Sequence, residues 1–243
     1  MKKILYISNI EVPYKARFFN ELSRQVHLTV LYERSLSSNR DEKWAKSIEA
    51  DYEKYYLEGV RIGNERAFST KILGYLKRDY DEIIIGCVNS PVQIFAMLYM
   101  KLMGIKYSVN FDGEMFFNSS GIKKTLKVML LRGADKYYAA GEKSADVYKS
   151  LFGERIYPYY FSSLSKEEVD RNASCDTKRE KYVLVVGQYF EYKGLDLAVQ
   201  VARKNRSMQF VFVGMGKRTD KFIEELNVHD KNIKIIPFLQ RSS

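Results

Sequence analysis

"KYVLVVGQYFEYKGLDLAVQVARK", Lys181 to Lys204, runs from a stretch of β-formers through a glycine and a short loop into a segment whose apolar residues Leu195, Ala198, Val199 and Ala202 recur at helical spacing. Strand, glycine, loop, Lys-Gly, helix is the order in which α/β folds present charge and free backbone N–H groups to an anion. Lys193 is therefore a candidate phosphate contact; a solvated lysine ahead of a helix is the other reading of the same residues. The alternation continues with "MQFVFVG" (208–214) as strand, "KRTDKFIEELN" (217–227) as helix and "NIKIIPFL" (232–239) as strand.

Upstream the same rhythm holds. "KKILYIS" (2–8), "YKARFFNELSRQ" (14–25) and "HLTVLYE" (27–33) form a βαβ unit, followed by "DEIIIGC" (81–87), "PVQIFAMLYMKLMG" (91–104) and "KYSVNFD" (106–112). "GIKKTLKVMLLRG" is expected as helix, "DKYYAAG" as strand and "KSADVYKSLFG" as helix with Gly153 as its C-cap. "DYEKYYLEGVRIGN" (51–64) reads as a hairpin turning near Gly59. Alternating strands and helices predict parallel sheets covered on both faces, an α/β fold. The boundaries expected are a first Rossmann-like domain at 1–165, a linker at 166–181 poor in large apolar residues, and a second Rossmann-like domain over 182–243. The last is incomplete by comparison with the roughly 100–150 residues typical of a domain.

Composition removes several function classes. The net charge is +10, yet acidic residues are interleaved throughout, unlike the dense basic tract of a nucleic-acid arm. Phosphorylated small molecules or an anionic membrane surface fit such a charge better, and no nucleic-acid partner is expected. Cys87 and Cys175 lie far apart and His27 and His229 cannot complete a zinc site with them, so no metal is expected and the thiols read as those of a reduced, cytoplasmic protein. The apolar part of "MKKILYISNI" is only a strand's length before Asn9 and Glu11 interrupt it, so no signal peptide is expected there, and "PVQIFAMLYMKLMGI" carries Gln93 and Lys101 and falls short of the ~20 residues that span a bilayer.

Other constellations each carry two readings. Gly214 and Gly216 follow a strand, but Thr219 and Arg218 break the dinucleotide and P-loop patterns, leaving a nucleotide approach or simple turn chemistry. Asp112 and Glu114 stand at a strand's carboxyl end, where ligands bind in open α/β sheets; they would orient hydroxyls or move a proton, or serve only a turn. Tyr14, Lys15 and Arg17 start the helix after Pro13 near the same edge, as ligand contacts or a solvated first turn. Helix 122–132 sets Ile122, Leu126, Met129 and Leu130 against Lys123, Lys124, Lys127 and Arg132, suited either to an anionic membrane or to a core stripe with solvated lysines.

Taken in order, "VGQYFEYKGLDLAVQVARK", "FVFVGMG" and "NIKIIPFL", preceded by "SNIEVPYKARFFNELSRQ", "NFDGE", "GADKYYAAGEKSADVYKSLFG" and "IYPYY", resemble family 4 glycosyltransferases of the GT-B fold, retaining enzymes that include builders of bacterial capsular and other surface polysaccharides. The resemblance implies a nucleotide-sugar donor held by Gly187, Gln188, Lys193, Gly194, Gly214 and Gly216, a saccharide or lipid-linked acceptor met by Tyr14, Lys15, Arg17 and Glu114, and Asp112 at the reacting sugar. It implies no cofactor and no metal, since protein cations stabilise the leaving diphosphate. The family commonly carries an arginine where this chain has Gln188, which leaves a neutral hydrogen bond in place of one cationic contact. The implied location is the cytoplasm, peripheral to the inner membrane face. The family's paired glutamates, eight residues apart, occur nowhere in the chain and would fall after residue 243, so a truncated donor domain with little or no transfer is expected; a nucleotide-binding or half-enzyme module completed by a partner chain is the alternative.

Overall fold

The protein is described by a computed structural model covering residues 1–35, 49–62, 66–111, 122–161, 164, 166–173, 180–187, 193–214 and 230–236, with backbone alone at 122–124, 168 and 172. It divides into two compact units, Met1–Asp170 and Arg171–Ser243. Both are α/β and Rossmann-like, with parallel strands joined through helices.

In the first unit a seven-stranded sheet runs in the order β3-β2-β1-β6-β7-β8-β9. Its strands are β1 (Lys3–Ile10), β2 (His27–Arg34), β3 (Glu53–Tyr56), β6 (Glu82–Ile85), β7 (Ser108–Phe111), β8 (Tyr137–Ala140) and β9 (Ile156–Tyr159). Every pairing is parallel, β1 meeting β2 with Leu5 opposite Thr29 and β6 with Leu5 opposite Ile83. Helices α2 (Ile72–Leu76), α3 (Pro91–Leu102), α4 (Ile122–Leu131) and α5 (Glu142–Phe152) pack a core of Leu5, Ile7, Ile85, Val109, Phe111 and Tyr137 on one face. Helix α1 (Pro13–Ser23) covers the other, where Phe19 meets Tyr6 edge-on beside Val30 and Tyr32. Strands buried on both faces read as near-continuous apolar runs, which is why "KILYISNI" and "EIII" carry the sheet's centre.

The expected hairpin at 51–64 is corrected. β3 joins the large sheet in parallel, held to β2 by Thr29 Oγ1 donating to Glu53, while the hairpin lies downstream between β4 (Val60–Ile62) and β5 (Arg66–Phe68). Gly59 is required by close approach, not by a turn: a Cβ there would sit 2.1 Å from the Phe68 carbonyl oxygen. Helix α2 and strand β9 are additions that the alternation did not single out. Residues 166–181, expected as a linker, begin with helix α6 (Lys166–Ala173). Gly153 does close α5, at φ 77°.

The second unit holds the three-stranded parallel sheet β10 (Val183–Val186), β11 (Phe210–Val213), β12 (Ile233–Ile236), with α7 (Leu195–Lys204) across one face. Leu195, Val199 and Ala202 pack on Phe210, Phe212 and Ile233. Asn232 caps the helix's far end by donating from Nδ2 to the carbonyls of Ala202, Asn205 and Met208. The expected helix at 217–227 lies outside the described residues. Leu184 and Val186, on the face opposite α7, are more than half exposed. Among the described residues no helix is long and apolar enough to cross a membrane.

Candidate functional site

The carboxyl edge of the second unit's sheet is built by backbone. Gly187 continues β10, its N–H donating to the Val213 carbonyl at 3.0 Å, and Gly214 continues β11 by donating to Ile236 at 3.3 Å. The two glycines thus stand side by side. Gly214 has φ 90°, a conformation side chains rarely adopt, and a Cβ there would touch the Gly187 carbonyl oxygen at 3.5 Å. Lys193 is exposed in the turn ahead of α7, and Gly194, at φ 64°, is the helix's N-cap. Four of the six sequence-predicted donor contacts, Gly187, Lys193, Gly194 and Gly214, therefore lie at a strand's carboxyl end or a helix start, the positions from which α/β folds reach a phosphate. Asp196 sits in the first turn of α7 and works against an anion there. Gln188 and Gly216 lie outside the described residues.

In the first unit β1 and β6 are neighbours whose chains leave in opposite directions, so their carboxyl ends mark a topological switch point. Two helices start beside it, α1 at Pro13 and α3 at Pro91, and neither has an acid in its first turn. Tyr14, Lys15 and Arg17 belong to the opening turns of α1 and are half-buried. Tyr14 meets Phe161 edge-on at 5.5 Å. Asp112 and Glu114 lie outside the described residues.

Around this edge stand polar groups that the sequence did not single out. Glu33, fully buried at the end of β2, accepts from Gln93 Nε2 at 2.7 Å and from the Ala67 N–H at 3.2 Å. Gln93 in turn accepts from the Cys87 N–H at 2.8 Å, so one chain of bonds ties β2, β5, α3 and the loop after β6. Burial pushes the Glu33 carboxyl above its ordinary value, with the Gln93 and Ala67 donors and the Arg66 charge pulling the other way. Burial likewise pushes the Cys87 thiol up; Lys15 and Arg66 both come near enough to oppose that, and Glu33 reinforces it. A neutral thiol there is no nucleophile. Glu11, just after β1, accepts from Lys54 Nζ at 2.9 Å and from the Tyr56 hydroxyl. Such pairings span tens of residues, so no local spacing announces them.

A cavity of about 550 Å³ lies at the opposite, amino-terminal edge of the large sheet, lined by Lys3, His27, Asp51, Tyr52 and Arg78 among others. It is remote from the strand ends that carry the candidate residues. Among the described residues no group of three or more His, Cys, Asp or Glu side chains comes together as a metal site.

No protein-family model and no curated protein sequence matches the chain. Solved structures do. The UDP-N-acetylglucosamine 2-epimerase from Rickettsia bellii aligns with TM-score 0.58 at 14% identity, over 100% of this chain and 70% of its own. The UDP-GlcNAc 2-epimerase from Neisseria meningitidis bound to UDP-GlcNAc aligns with TM-score 0.52 at 13% identity, over 98% and 72%. Anabaena Alr3699/HepE in complex with UDP and glucose aligns with TM-score 0.58 at 11% identity, over 99% and 70%. At these identities the likeness establishes the fold alone: the chain is a GT-B-like α/β protein of Rossmann-like units.

Proposed function

We propose that the chain binds a nucleotide-diphosphate sugar and serves transfer of its sugar, with retention, to a saccharide or lipid-linked acceptor in surface polysaccharide synthesis. The observation that carries this reading is the pairing of Gly187 with Gly214 at adjacent strand ends beside the Lys193-Gly194 entry to α7. Bare glycine backbone lets a diphosphate approach closely. The Lys193 ammonium and the free N–H groups of the first turn then stabilise charge as the glycosidic bond breaks. Gln188 and Gly216 complete the donor contacts, Asp112 stands at the reacting sugar, and Tyr14, Lys15, Arg17 and Glu114 meet the acceptor. Fold likeness to proteins solved with UDP or UDP-GlcNAc supports the donor class.

The epimerase likeness supports a second use of the same donor-side residues, in which a UDP-sugar is converted without an acceptor. The cationic, acid-free start of α1 favours transfer, because it supplies an acceptor side. Peripheral contact with an anionic membrane belongs to the same proposal: Leu98 and Leu102 of α3, its C-cap Met103, and Leu126 and Met129 of α4 are all more than half exposed, with Lys101 bonded to the Met129 carbonyl between them.

Calorimetric titration of UDP into the full chain and into Lys193→Ala tests the donor site. Loss of one charge-assisted contact should weaken binding about tenfold, ~1.4 kcal/mol. Equal affinity returns Lys193 to the role of a solvated lysine, and no UDP binding by either protein removes the proposal. Formation of a 2-epimer from UDP-GlcNAc without acceptor would decide for the second use.

A further inference from the structure

We propose that Tyr14, Phe18, Tyr159 and Phe161, with the Asn110 amide at their side, form a wall that binds a neutral pyranose ring at the carboxyl edge of the seven-stranded sheet. The inference rests on the sugar-transfer reading and locates the acceptor within it.

The wall follows from register. Asn110, Ala140 and Tyr159 fall near the ends of β7, β8 and β9 on the face that α1 covers, since side chains alternate and the flanking Val109, Phe111, Tyr137 and Ala139 belong to the core on the other face. Tyr159 donates its hydroxyl to Asn110 Oδ1 at 3.2 Å. The Phe18 ring bridges outward from there, 6.0 Å from Tyr159 and 5.7 Å from Phe161, and Tyr14 closes the row against Phe161. On β8, between the two polar residues, stand Tyr138, which faces Asn110 and gives its hydroxyl to Glu82, and Ala140, which faces Tyr159.

Three properties select the ligand. Asn110 is 7% exposed and its Oδ1 accepts from Tyr159, which leaves the Nδ2 amide as the donor the wall offers to a ligand oxygen. No member of the wall is charged, so a phosphate gains nothing from it. The rings, Phe161 being 38% exposed, offer π faces to polarised C–H groups, and Tyr and Phe are rigid enough to do so at small entropic cost. A sugar ring has both halves of this chemistry, an apolar C–H face and hydroxyl oxygens at its rim.

Saturation-transfer NMR on the full chain with the methyl glycosides of glucose, galactose and N-acetylglucosamine tests the wall, alongside UDP titration of the same samples. Saturation should reach the ring protons of at least one glycoside. Phe161→Ala should weaken that binding roughly fivefold or more, Phe161→Trp should retain it, and UDP affinity should not move. Should Phe161→Ala fail to fold by circular dichroism, Tyr159→Phe, which removes only the hydroxyl that orients Asn110, should still weaken the glycoside two- to threefold, about the loss of one hydrogen bond. Normal UDP binding with no saturation of any glycoside, or with saturation unchanged in both variants, overturns the wall while the donor reading stands. Glycoside binding that is sensitive to Phe161 without UDP binding sustains the wall and removes the donor reading. Loss of phosphatidylglycerol vesicle binding in Phe161→Ala, with no glycoside signal in the parent protein, overturns the proposal in favour of a lipid surface.

Discussion

Glu33 and Glu82 are carboxylates withdrawn from water on the strands that flank β1, and their neighbours drive them in opposite directions. For Glu33 burial dominates over the Gln93 and Ala67 donors, and the proton is held above the ordinary value of 4.5. For Glu82 burial acts the same way, but hydroxyls of Ser108 and Tyr138 and the Lys136 ammonium 3.3 Å away outweigh it, and the pKa is lowered. Linkage fixes the signs. Stability due to Glu33 is complete below the unfolded pKa and is lost as pH rises through its raised native value. Stability due to Glu82 is complete above the unfolded pKa and is lost as pH falls through its lowered one. In urea unfolding across pH, the deficit of Glu33→Gln relative to the parent should therefore shrink from acid toward neutral pH, and that of Glu82→Gln should shrink toward acid. Each deficit, at its largest, should be about 1–3 kcal/mol, the scale for a buried group left with a mismatched partner. Parallel pH profiles for the two variants would refute the assignment.

At the scale of elements, α4 departs from its expected setting. The sequence stripe Ile122, Leu126, Met129, Leu130 reads either as a core stripe or as a membrane-facing side; in the structure Leu131 is buried, Val128 and Leu130 pack partly with it, and Leu126 and Met129 are exposed. Period alone gave the helix, expected over 122–132 and found over Ile122–Leu131, but three leucines, an isoleucine, a valine and a methionine spread around it leave its rotation undetermined, and α3 settles that by contact. The hairpin near Gly59 misled for a related reason: a glycine needed because Phe68 passes close is indistinguishable, in one dimension, from a glycine needed to turn. The outward face of α4 joins Leu98 and Leu102 of α3 into an apolar surface with Lys101 and Lys127 beside it. Leu102→Ser with Leu126→Ser should lower binding to phosphatidylglycerol vesicles at least tenfold, since burying each leucine is worth roughly 1.5–3 kcal/mol, and should leave folding intact because both side chains are already exposed. Vesicle binding equal to the parent's would assign those residues to solvent.

For the molecule as a whole, what the sequence made legible was the succession of elements and, through it, the strand ends and helix starts where Gly187, Lys193 and Gly214 sit. What it hid were partnerships between distant elements: Tyr159 and Asn110 are 49 residues apart and meet through the parallel register of β7, β8 and β9, and Glu33 and Gln93 are 60 apart and meet where α3 packs on the sheet. The two units also differ in how they are covered. The first buries a cluster on each face of its sheet, whereas the second packs Leu195, Val199 and Ala202 on one face and leaves Leu184 and Val186 open on the other. Amides of β10 and β11 should consequently exchange with deuterium faster than those of β1 and β6, by opening at lower free energy. A ligand that binds only the folded unit raises that opening energy by RT ln(1 + [L]/Kd), about 2.7 kcal/mol at a hundredfold excess over Kd. UDP at that concentration should slow exchange in β10, β11 and the start of α7 up to ~100-fold and leave β1 and β6 unchanged. Protection confined to the first unit would place the nucleotide there and detach Lys193 from its proposed role.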